Sequence, residues 1–404
     1  MKYLNSEILN RSGNSISENL RTEHDSYNCK RVKFRSIIRI KVPDSCEFKS
    51  GFKQLWKMIV FPRCFILVPL LMFSVLYRCK ERPLEISKSF YYWKTTFDLG
   101  NEDRIFLNSI GIKRMYVRFF DVDWVESEHD VFPIGRIEFI TKPDSSLRII
   151  PVIYITNKSF TQIGKNEIDK LSGRIVDEIF HIADHVSVKV SEIQLDCDWT
   201  NSTRELYFLL ISNINKRIKK QKIRISATIR LHQIKYYKTT GIPDVDRGIL
   251  MFYNMGQINA VSGRNSIFNE EDLAGYIRSI KKYPLPLDIA IPCFSWGIHI
   301  RNDSVIELLN NWDNESVSDT LLFDKTENGQ YSVRKSLFYK GVYLKGNDKI
   351  KIEAVDLNLC CRASKLASES TERISRSIII FDYKKLYNLE NEKEELDKIF
   401  NCFY

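Results

Sequence analysis

The stretch EIQLDCDWT, residues 192–200, alternates apolar and polar side chains and then reaches a tryptophan. Side chains of a β-strand point to opposite faces with a period of two residues. The two faces therefore carry Ile193, Leu195 and Cys197 on one side and Gln194, Asp196 and Asp198 on the other. Two carboxylates this close repel each other and lose solvation when buried, so the pair predicts either a structural or a catalytic purpose.

Seven further runs of strand-forming residues surround this stretch in the sequence. The eight runs are 90–97, 114–124, 148–156, 192–200, 223–233, 248–256, 287–298 and 377–383. Helical stretches separate many of them, so the chain alternates β and α over residues 83–404. We predict an α/β fold, a (β/α)8 TIM-like barrel. A doubly wound open sheet is the alternative, but eight strands suit a closed barrel and no glycine-rich phosphate loop follows a strand.

The connecting segments predict helices and one insertion. Helices are predicted at 101–111, 166–184, 202–214, 269–283, 303–312, 354–368 and 384–400. Ser202 and Glu205 have the spacing of a capping box. Residues 125–147 contain more strand than helix character. Residues 321–353 alternate around NG and GND turns, which predicts a β-hairpin insertion between strands seven and eight.

The amino-terminal part has the character of a targeting region. Residues 1–57 are polar and basic, and we interpret them as a wrongly chosen start or a disordered extension. Residues 58–82 contain an uncharged apolar run, 64–77, behind lysine and arginine, which predicts a signal segment. Cys79 follows directly, as in a lipoprotein signal, although Arg78 stands where that signal has a small residue. An uncleaved membrane anchor is the alternative. Either one predicts an anchored barrel outside the cytoplasm, in a bacterial cell envelope.

The charge distribution argues against a nucleic-acid partner. The net charge is +10, but residues 1–82 carry 16 Lys and Arg against 7 Asp and Glu, whereas residues 83–404 carry 45 against 44. The main domain therefore lacks a basic footprint for nucleic acid. The nine cysteines include no CxxC pair or cluster with histidine, and we predict no metal site and no cofactor.

Carboxylates, amides and aromatic rings collect at the predicted carboxyl ends of strands, where barrels of this kind bind their ligands. Sugar rings stack on aromatic faces, their hydroxyls bind polar side chains, and two carboxylates can cleave a glycosidic bond. This predicts a carbohydrate partner. The predicted catalytic residues are Asp123, Asp196 and Asp198. The predicted substrate-binding residues are Trp93, Asp121, Trp124, Trp199, Arg230, His232, Gln233, Asn254, Trp296 and Asp382.

Four motifs carry a family resemblance: QLDCDWT (194–200), SATIRLHQ (226–233), GIPDVDRGILMFYNMG (241–256) and LDIAIPCFSWG (287–297). In this order they resemble a family of bacterial lipoproteins whose barrel is related to glycoside hydrolases. The resemblance covers residues 86–390. It implies the barrel and an envelope location but no particular reaction.

A second resemblance concerns chitinase-like glycosidases, which carry D-x-x-D-x-D-x-E at the end of strand four. Asp196 and Asp198 match the last two aspartates, while Ile193 and Thr200 replace the first aspartate and the glutamate. The departure at Thr200 removes the general acid of that mechanism. Three functions remain open from sequence: a glycoside hydrolase with another carboxylate pair, a non-catalytic glycan-binding protein, and a hydrolase with a metal bound by Asp121, Asp123, Asp196, Asp198 and His232.

Overall fold

The computed structural model describes residues 84–260, 263–383 and 389–404. The predictions for residues 1–82, including lipidation of Cys79, lie outside this part of the chain. The strands are β1 (Ile86–Tyr92), β2 (Thr96–Phe97), β3 (Arg114–Val125), β4 (Asp130–Ile134), β5 (Glu138–Phe139), β6 (Arg148–Ile155), β7 (Glu192–Asp196), β8 (Arg224–Arg230), β9 (Arg247–Met251), β10 (Leu287–Pro292), β11 (Ser295–Arg301), β12 (Ser304–Asn310), β13 (Phe323–Lys325), β14 (Tyr331–Val333), β15 (Leu337–Tyr339), β16 (Val342–Leu344), β17 (Lys349–Ala354) and β18 (Arg376–Phe381).

Eight parallel strands close into a barrel in the order β1-β18-β10-β9-β8-β7-β6-β3, and β3 pairs with β1 again. Their long apolar runs suit parallel strands that are covered on both faces. The predicted (β/α)8 barrel is therefore confirmed, and the open doubly wound sheet is wrong. The antiparallel strand β4 pairs with the carboxyl-terminal part of β3, residues 121–125.

The helices are α1 (Asn101–Ser109), α2 (Asn157–Gln162), α3 (Ile168–His185), α4 (Arg204–Ile218), α5 (Leu231–Lys235), α6 (Tyr237–Thr240), α7 (Glu270–Ala274), α8 (Ile277–Ile280), α9 (Leu357–Ser370) and α10 (Leu389–Asn401). Two predictions about where helices begin and how far they extend need correction. The capping box of Ser202 and Glu205 does not form, because Thr203 is the residue before α4 and its hydroxyl donates to Asn157 at 2.7 Å. The helix predicted at 269–283 is two short helices, α7 and α8.

An antiparallel β subdomain lies between barrel strands β10 and β18. Its five-stranded sheet has the order β12-β11-β17-β14-β13, and β15 and β16 form a separate hairpin. The sequence pattern placed the insertion at 321–353, whereas the subdomain begins at Ser295. The helix predicted at 303–312 is strand β12, because its apolar residues pair with β11 across the sheet. A small core around Trp312, Phe323 and Val333 stabilises the subdomain.

The barrel interior explains the alternation in residues 192–200. The polar residues of β7 point into the barrel, where Glu192 accepts a hydrogen bond from Ser226 at 2.8 Å and Gln194 accepts one from Tyr91 at 2.8 Å. The apolar residues of the stretch point the other way and are completely buried. These two polar groups inside the barrel are thus hydrogen-bonded, as burial favours. Asp196 is the last polar residue of this row and reaches the barrel mouth.

Candidate functional site

A cavity opens at the carboxyl ends of the barrel strands and holds about 630 Å³, open solvent at its mouth included. Six barrel strands contribute to it, and β12 covers it from the subdomain. The lining residues are Trp93, Asp196, Arg230, Met251, Tyr253, Asn254, Phe294, Ser295, Trp296, Leu308, Asn310, Asn311, Phe381 and Asp382. This is the end of the barrel at which such folds bind ligands.

Aromatic rings form a continuous wall of the cavity. Phe381 lies at its centre, with ring centroids 5.7 Å from Trp93, 5.6 Å from Tyr253 and 5.5 Å from Phe294. Phe294 in turn contacts Trp296 at 5.5 Å. Most of these contacts are edge-to-face or tilted, which is a favoured arrangement of aromatic quadrupoles. The packed rings hold one another in place and present a preformed apolar surface.

A buried ion pair lies beside this wall. Asp196 accepts a hydrogen bond from the Thr228 hydroxyl at 2.6 Å and one from the Arg230 guanidinium at 3.3 Å. Burial raises the pKa of the Asp196 carboxyl above its usual value, and Arg230 and Thr228 only partly oppose that effect. Nearby Asp198 and Asp121 raise it further. The Asp196 carboxyl consequently holds a proton more readily than an ordinary aspartate does.

Trp296 is fixed by the β subdomain. Its indole Nε1 donates a hydrogen bond to Glu353 at 3.0 Å, and Glu353 is itself paired with Lys351 at 2.7 Å. The same carboxylate accepts a bond from the backbone N–H of Ser266 at 3.0 Å. Glu353 thus ties β11, β17 and the 264–267 loop together behind the ring. The arrangement positions Trp296 at the cavity wall.

Two polar atoms at the cavity have no hydrogen-bond partner among the described residues. They are the indole Nε1 of Trp93, a donor, and the side-chain Oδ1 of Asn254, an acceptor, and both atoms are buried. Asn254 also has a left-handed backbone conformation, with a φ of 56°. Unpaired buried polar atoms and unusual backbone conformations are costly and concentrate at functional sites. A ligand that both accepts and donates hydrogen bonds would satisfy this pair.

Asp121 and Asp123, two of the predicted carboxylates, do not line the cavity. Asp121 forms a bidentate ion pair with Arg118, both buried. A register shift in β3 between Arg118 and Phe120 turns Arg118 and Asp121 to the same face. Asp123 accepts hydrogen bonds from the Thr156 hydroxyl at 2.6 Å and from its neighbour's backbone. Asp123 therefore supports the residue that caps α2.

Asp198 and His232 form a separate contact outside the cavity lining. The Asp198 Oδ1 lies 3.3 Å from the His232 Nε2, and both side chains are about a quarter exposed. The backbone carbonyl of Asp198 accepts a hydrogen bond from Asn157 at 2.6 Å. Thr200, at the position of the chitinase glutamate, contacts the hydroxyls of Ser202 and Thr203.

Three more residues that were predicted to bind substrate pack or hydrogen-bond within the fold instead. Trp199 is completely buried and donates to the carbonyl of Thr240 at 2.9 Å, so it is a core residue. Gln233 is completely buried: its side-chain amide donates a hydrogen bond to the carbonyl of Trp199 and accepts one from the backbone N–H of Arg230. Trp124 is partly buried and donates to Glu126 at 2.8 Å. None of the three lines the cavity.

The cavity thus brings together Trp93, Asp196, Arg230, Asn254, Trp296 and Asp382 from the sequence-based set. The sequence did not indicate that β12 and the residue after it line the cavity, because a helix was predicted at 303–312. The lining residues concerned are Leu308, Asn310 and Asn311. It also missed Phe294 and Phe381, whose apolar character indicates core. The one available signal was position, since both directly follow or end a barrel strand.

Within the described part of the chain, no three His, Cys, Asp or Glu side chains are grouped as metal ligands would be. The residues proposed for the metal-dependent alternative are instead engaged in the separate pairs described above. Among the described helices, none combines the length and apolar character that crossing a membrane requires.

Fold and cavity together define the class: a (β/α)8 barrel with a β subdomain inserted before its last strand and a ligand cavity at its carboxyl face. No protein-family model and no curated protein sequence matches the chain, so the lipoprotein resemblance finds no support there.

Three solved structures illustrate what the chain is similar to. A chitinase from Chromobacterium violaceum is 9% identical, with 78% of this chain and 98% of that chain covered and a TM-score of 0.46. The spore cortex-lytic enzyme SleL from Bacillus megaterium is 10% identical, with 80% and 75% covered and a TM-score of 0.47. A chitinase-like agglutinin from Robinia pseudoacacia is 10% identical, with 78% and 99% covered and a TM-score of 0.47. All three TM-scores lie below 0.5, and the strand order remains the basis for the barrel.

Proposed function

We propose that this protein binds a carbohydrate in the cavity at the carboxyl face of its barrel. The observation that carries the proposal is the aromatic wall set against the buried Asp196–Arg230 pair in one cavity. The C–H faces of a sugar ring pack on aromatic rings, while its hydroxyls bind charged and amide groups. Trp93 Nε1 and Asn254 Oδ1 offer a buried donor and a buried acceptor to the same ligand. A purely apolar ligand would leave both unsatisfied, at a cost of about 1–3 kcal/mol each.

The test is binding of the full chain to a panel of neutral and N-acetylated oligosaccharides, measured by glycan array and then by calorimetry. Trp296→Ala should weaken binding by about 1–3 kcal/mol, roughly 5- to 150-fold, as loss of an aromatic contact at a binding site does. Trp124→Ala is the matched control, because Trp124 lies outside the cavity. Equal effects of the two substitutions, or no glycan bound at all, would reject the cavity as a sugar site.

Glycoside hydrolysis is the second candidate, and one observation favours it. Asp196, whose pKa is raised by burial, shares the cavity with a second carboxylate, Asp382. A carboxyl with a raised pKa is suited to donate a proton to the leaving oxygen, and the other carboxylate can act as base or nucleophile. On this proposal Asp382 takes the partner role that the sequence had assigned to Asp123. The assay is release of reducing ends from a glycan. Hydrolysis is supported if the wild type and Asp123→Asn release them and both Asp196→Asn and Asp382→Asn do not. Glycan binding without release would leave binding as the function.

Residues 58–82 and Cys79 motivate a further proposal, that the barrel is held at a membrane outside the cytoplasm of a bacterial cell. Fractionation of cells expressing the full chain tests it, with Cys79→Ala as the variant. Membrane association lost in Cys79→Ala indicates lipidation, and association kept in that variant indicates an uncleaved anchor. Recovery of both proteins in the soluble cytoplasmic fraction would refute the location.

A further inference from the structure

The amino-terminal end of the barrel, opposite the cavity described above, carries two further cavities. One holds about 570 Å³ and the other about 770 Å³, open solvent included. The two share Thr371, Glu372, Ile374 and Arg376, so they flank a single segment that runs from the end of α9 into β18. The function proposed above does not use this end of the molecule.

Arg376 is the unusual residue of this segment. It is only 5% exposed, yet its guanidinium donates to two neutral oxygens, the Thr371 hydroxyl at 2.8 Å and the Glu372 carbonyl. No carboxylate of the described residues forms an ion pair with it. A buried cation without a carboxylate partner is costly. Burial lowers the pKa of Arg376 to about 10; the negative charges of Asp288 and Glu372 oppose this effect, and the positive charge of Arg247 adds to it.

The neighbouring arginine shows the contrast. Arg247 begins the nearby strand β9 and is paired with the buried carboxylate of Asp288 at 2.8 Å. The same oxygen, Asp288 Oδ1, also accepts a hydrogen bond from the backbone N–H of Ser377 at 2.8 Å, so Arg247 and Ser377 share it. Asp288 is therefore paired directly with another cation, and its charge acts on Arg376 without an ion pair. The charge of Arg376 is compensated only in part.

The cavity walls add to this excess of positive charge. Lys281 and Lys282 line one cavity and Arg373 lines the other, against the single acid Glu372. The carboxyl end of α9 contributes a partial negative charge of about half a unit, which offsets only a fraction of one guanidinium. Among the residues that line the two cavities, four cations thus stand against one carboxylate and one helix end.

We infer that this end of the barrel binds a phosphate group, held by the buried Arg376 with Thr371 beside it and with Arg373 or the lysine pair at the rim. A guanidinium presents a planar set of donors that matches phosphate oxygens. A phosphate would supply the counter-charge that Arg376 lacks. Inorganic phosphate and the headgroup of an anionic phospholipid share this chemistry, and the experiment separates them.

The experiment measures phosphate binding to the full chain by calorimetry and by thermal unfolding, with chloride at equal ionic strength as the reference. We expect phosphate to raise the melting temperature of the wild type, and Arg376→Gln to weaken phosphate binding at least tenfold. Arg148→Gln is the matched control, because Arg148 begins barrel strand β6 at the same end but lines neither cavity. Co-sedimentation with phosphatidylglycerol vesicles, compared with phosphatidylcholine vesicles, tests the lipid source in the same three proteins.

Phosphate binding that is absent in the wild type for both probes, or equal in the wild type and Arg376→Gln, would overturn the inference. If Arg376→Gln does not fold, Lys282→Gln combined with Arg373→Gln takes its place. That double variant removes one rim cation from each cavity and leaves the buried contacts of Arg376 intact. It should weaken phosphate binding severalfold, and unchanged binding would overturn the inference as well. None of these residues touches the carbohydrate cavity, so the outcome is independent of the sugar experiments.

Discussion

Replacement of Asp348 by Asn should destabilise the β subdomain in a pH-dependent way. Asp348 precedes β17 and its carboxylate accepts hydrogen bonds from His299 at 2.8 Å and from Arg301 at 2.7 and 2.8 Å. The backbone N–H of Lys345 donates a further bond at 2.7 Å. The Asp348 side chain is 2% exposed, so these bonds replace its solvation almost completely.

The size of the effect follows from the Asp348 pKa. Burial alone would raise this pKa, but the bonds from Arg301 and His299 outweigh burial and lower it from 3.8 to about 2. A shift of that size corresponds to about 2 kcal/mol of unfolding free energy. Because the folded-state pKa is depressed, this stability is present above the ordinary carboxyl pKa and is lost as the pH falls toward 2. Asp348→Asn should therefore cost about 2 kcal/mol at pH 7 and progressively less at low pH.

Urea unfolding of the full chain between pH 2 and pH 7 measures the difference. Asp324→Asn is the control, because Asp324 pairs with Arg334 on the surface, where both side chains are about half exposed. Such exposed pairs contribute about 0–1 kcal/mol. A loss for Asp348→Asn that stays the same at every pH would show that packing, and not charge, sets its contribution. A loss no larger than that of the control would refute the reasoning altogether.

Three other results are expected. Asp196→Asn should leave the melting temperature at pH 7 unchanged or higher. The raised pKa of the Asp196 carboxyl costs stability at pH values above the ordinary aspartate pKa, with a slope of at most about 1.4 kcal/mol per pH unit. A drop of several degrees in calorimetry would indicate that pairing with Arg230 dominates. Glu353→Gln should shift the fluorescence maximum of the ligand-free protein and weaken glycan binding, since Trp296 loses its charged partner; an unchanged spectrum and affinity would contradict a positioning role. A protein that begins at residue 83 should unfold cooperatively in calorimetry, because the barrel strands lie between residues 86 and 381; an insoluble product would contradict this.

The barrel could be predicted from sequence because its strands are strongly patterned. Runs such as 148–156 and 377–383 are dense in β-branched residues, and helical segments separate them. The subdomain could not be predicted as well. The run 287–298 reads as one strand, but β10 ends at Pro292 and β11 begins at Ser295, so the chain leaves the barrel within it. The apolar residues of 303–312 have a spacing that also suits a helix. The segment is strand β12 instead, because it pairs with β11.

The site shows a similar division. Polar residues at strand ends indicated Asp196 and Arg230 separately, and the structure places them 3.3 Å apart because parallel strands end at the same rim. Residue type alone could not separate a wall tryptophan from a core tryptophan. Trp296 lines the cavity while Trp199 stacks on Tyr207 in the core, a difference set by which way the chain turns after each strand. Long-range packing, which the local sequence does not encode, decides such cases.

The closure of the barrel has a consequence for how the protein is made. Strand β1 gains its second neighbour only when it pairs with β18, and that contact joins Ile86 to Arg376 across nearly the whole described chain. Contacts of such long sequence separation form slowly, because a large loop must close before they contribute. During synthesis the first seven barrel strands exist before the eighth, and the open edges of β1 and β10 are available for wrong pairing. A chain that ends before residue 376 should therefore aggregate instead of accumulating as a smaller stable protein.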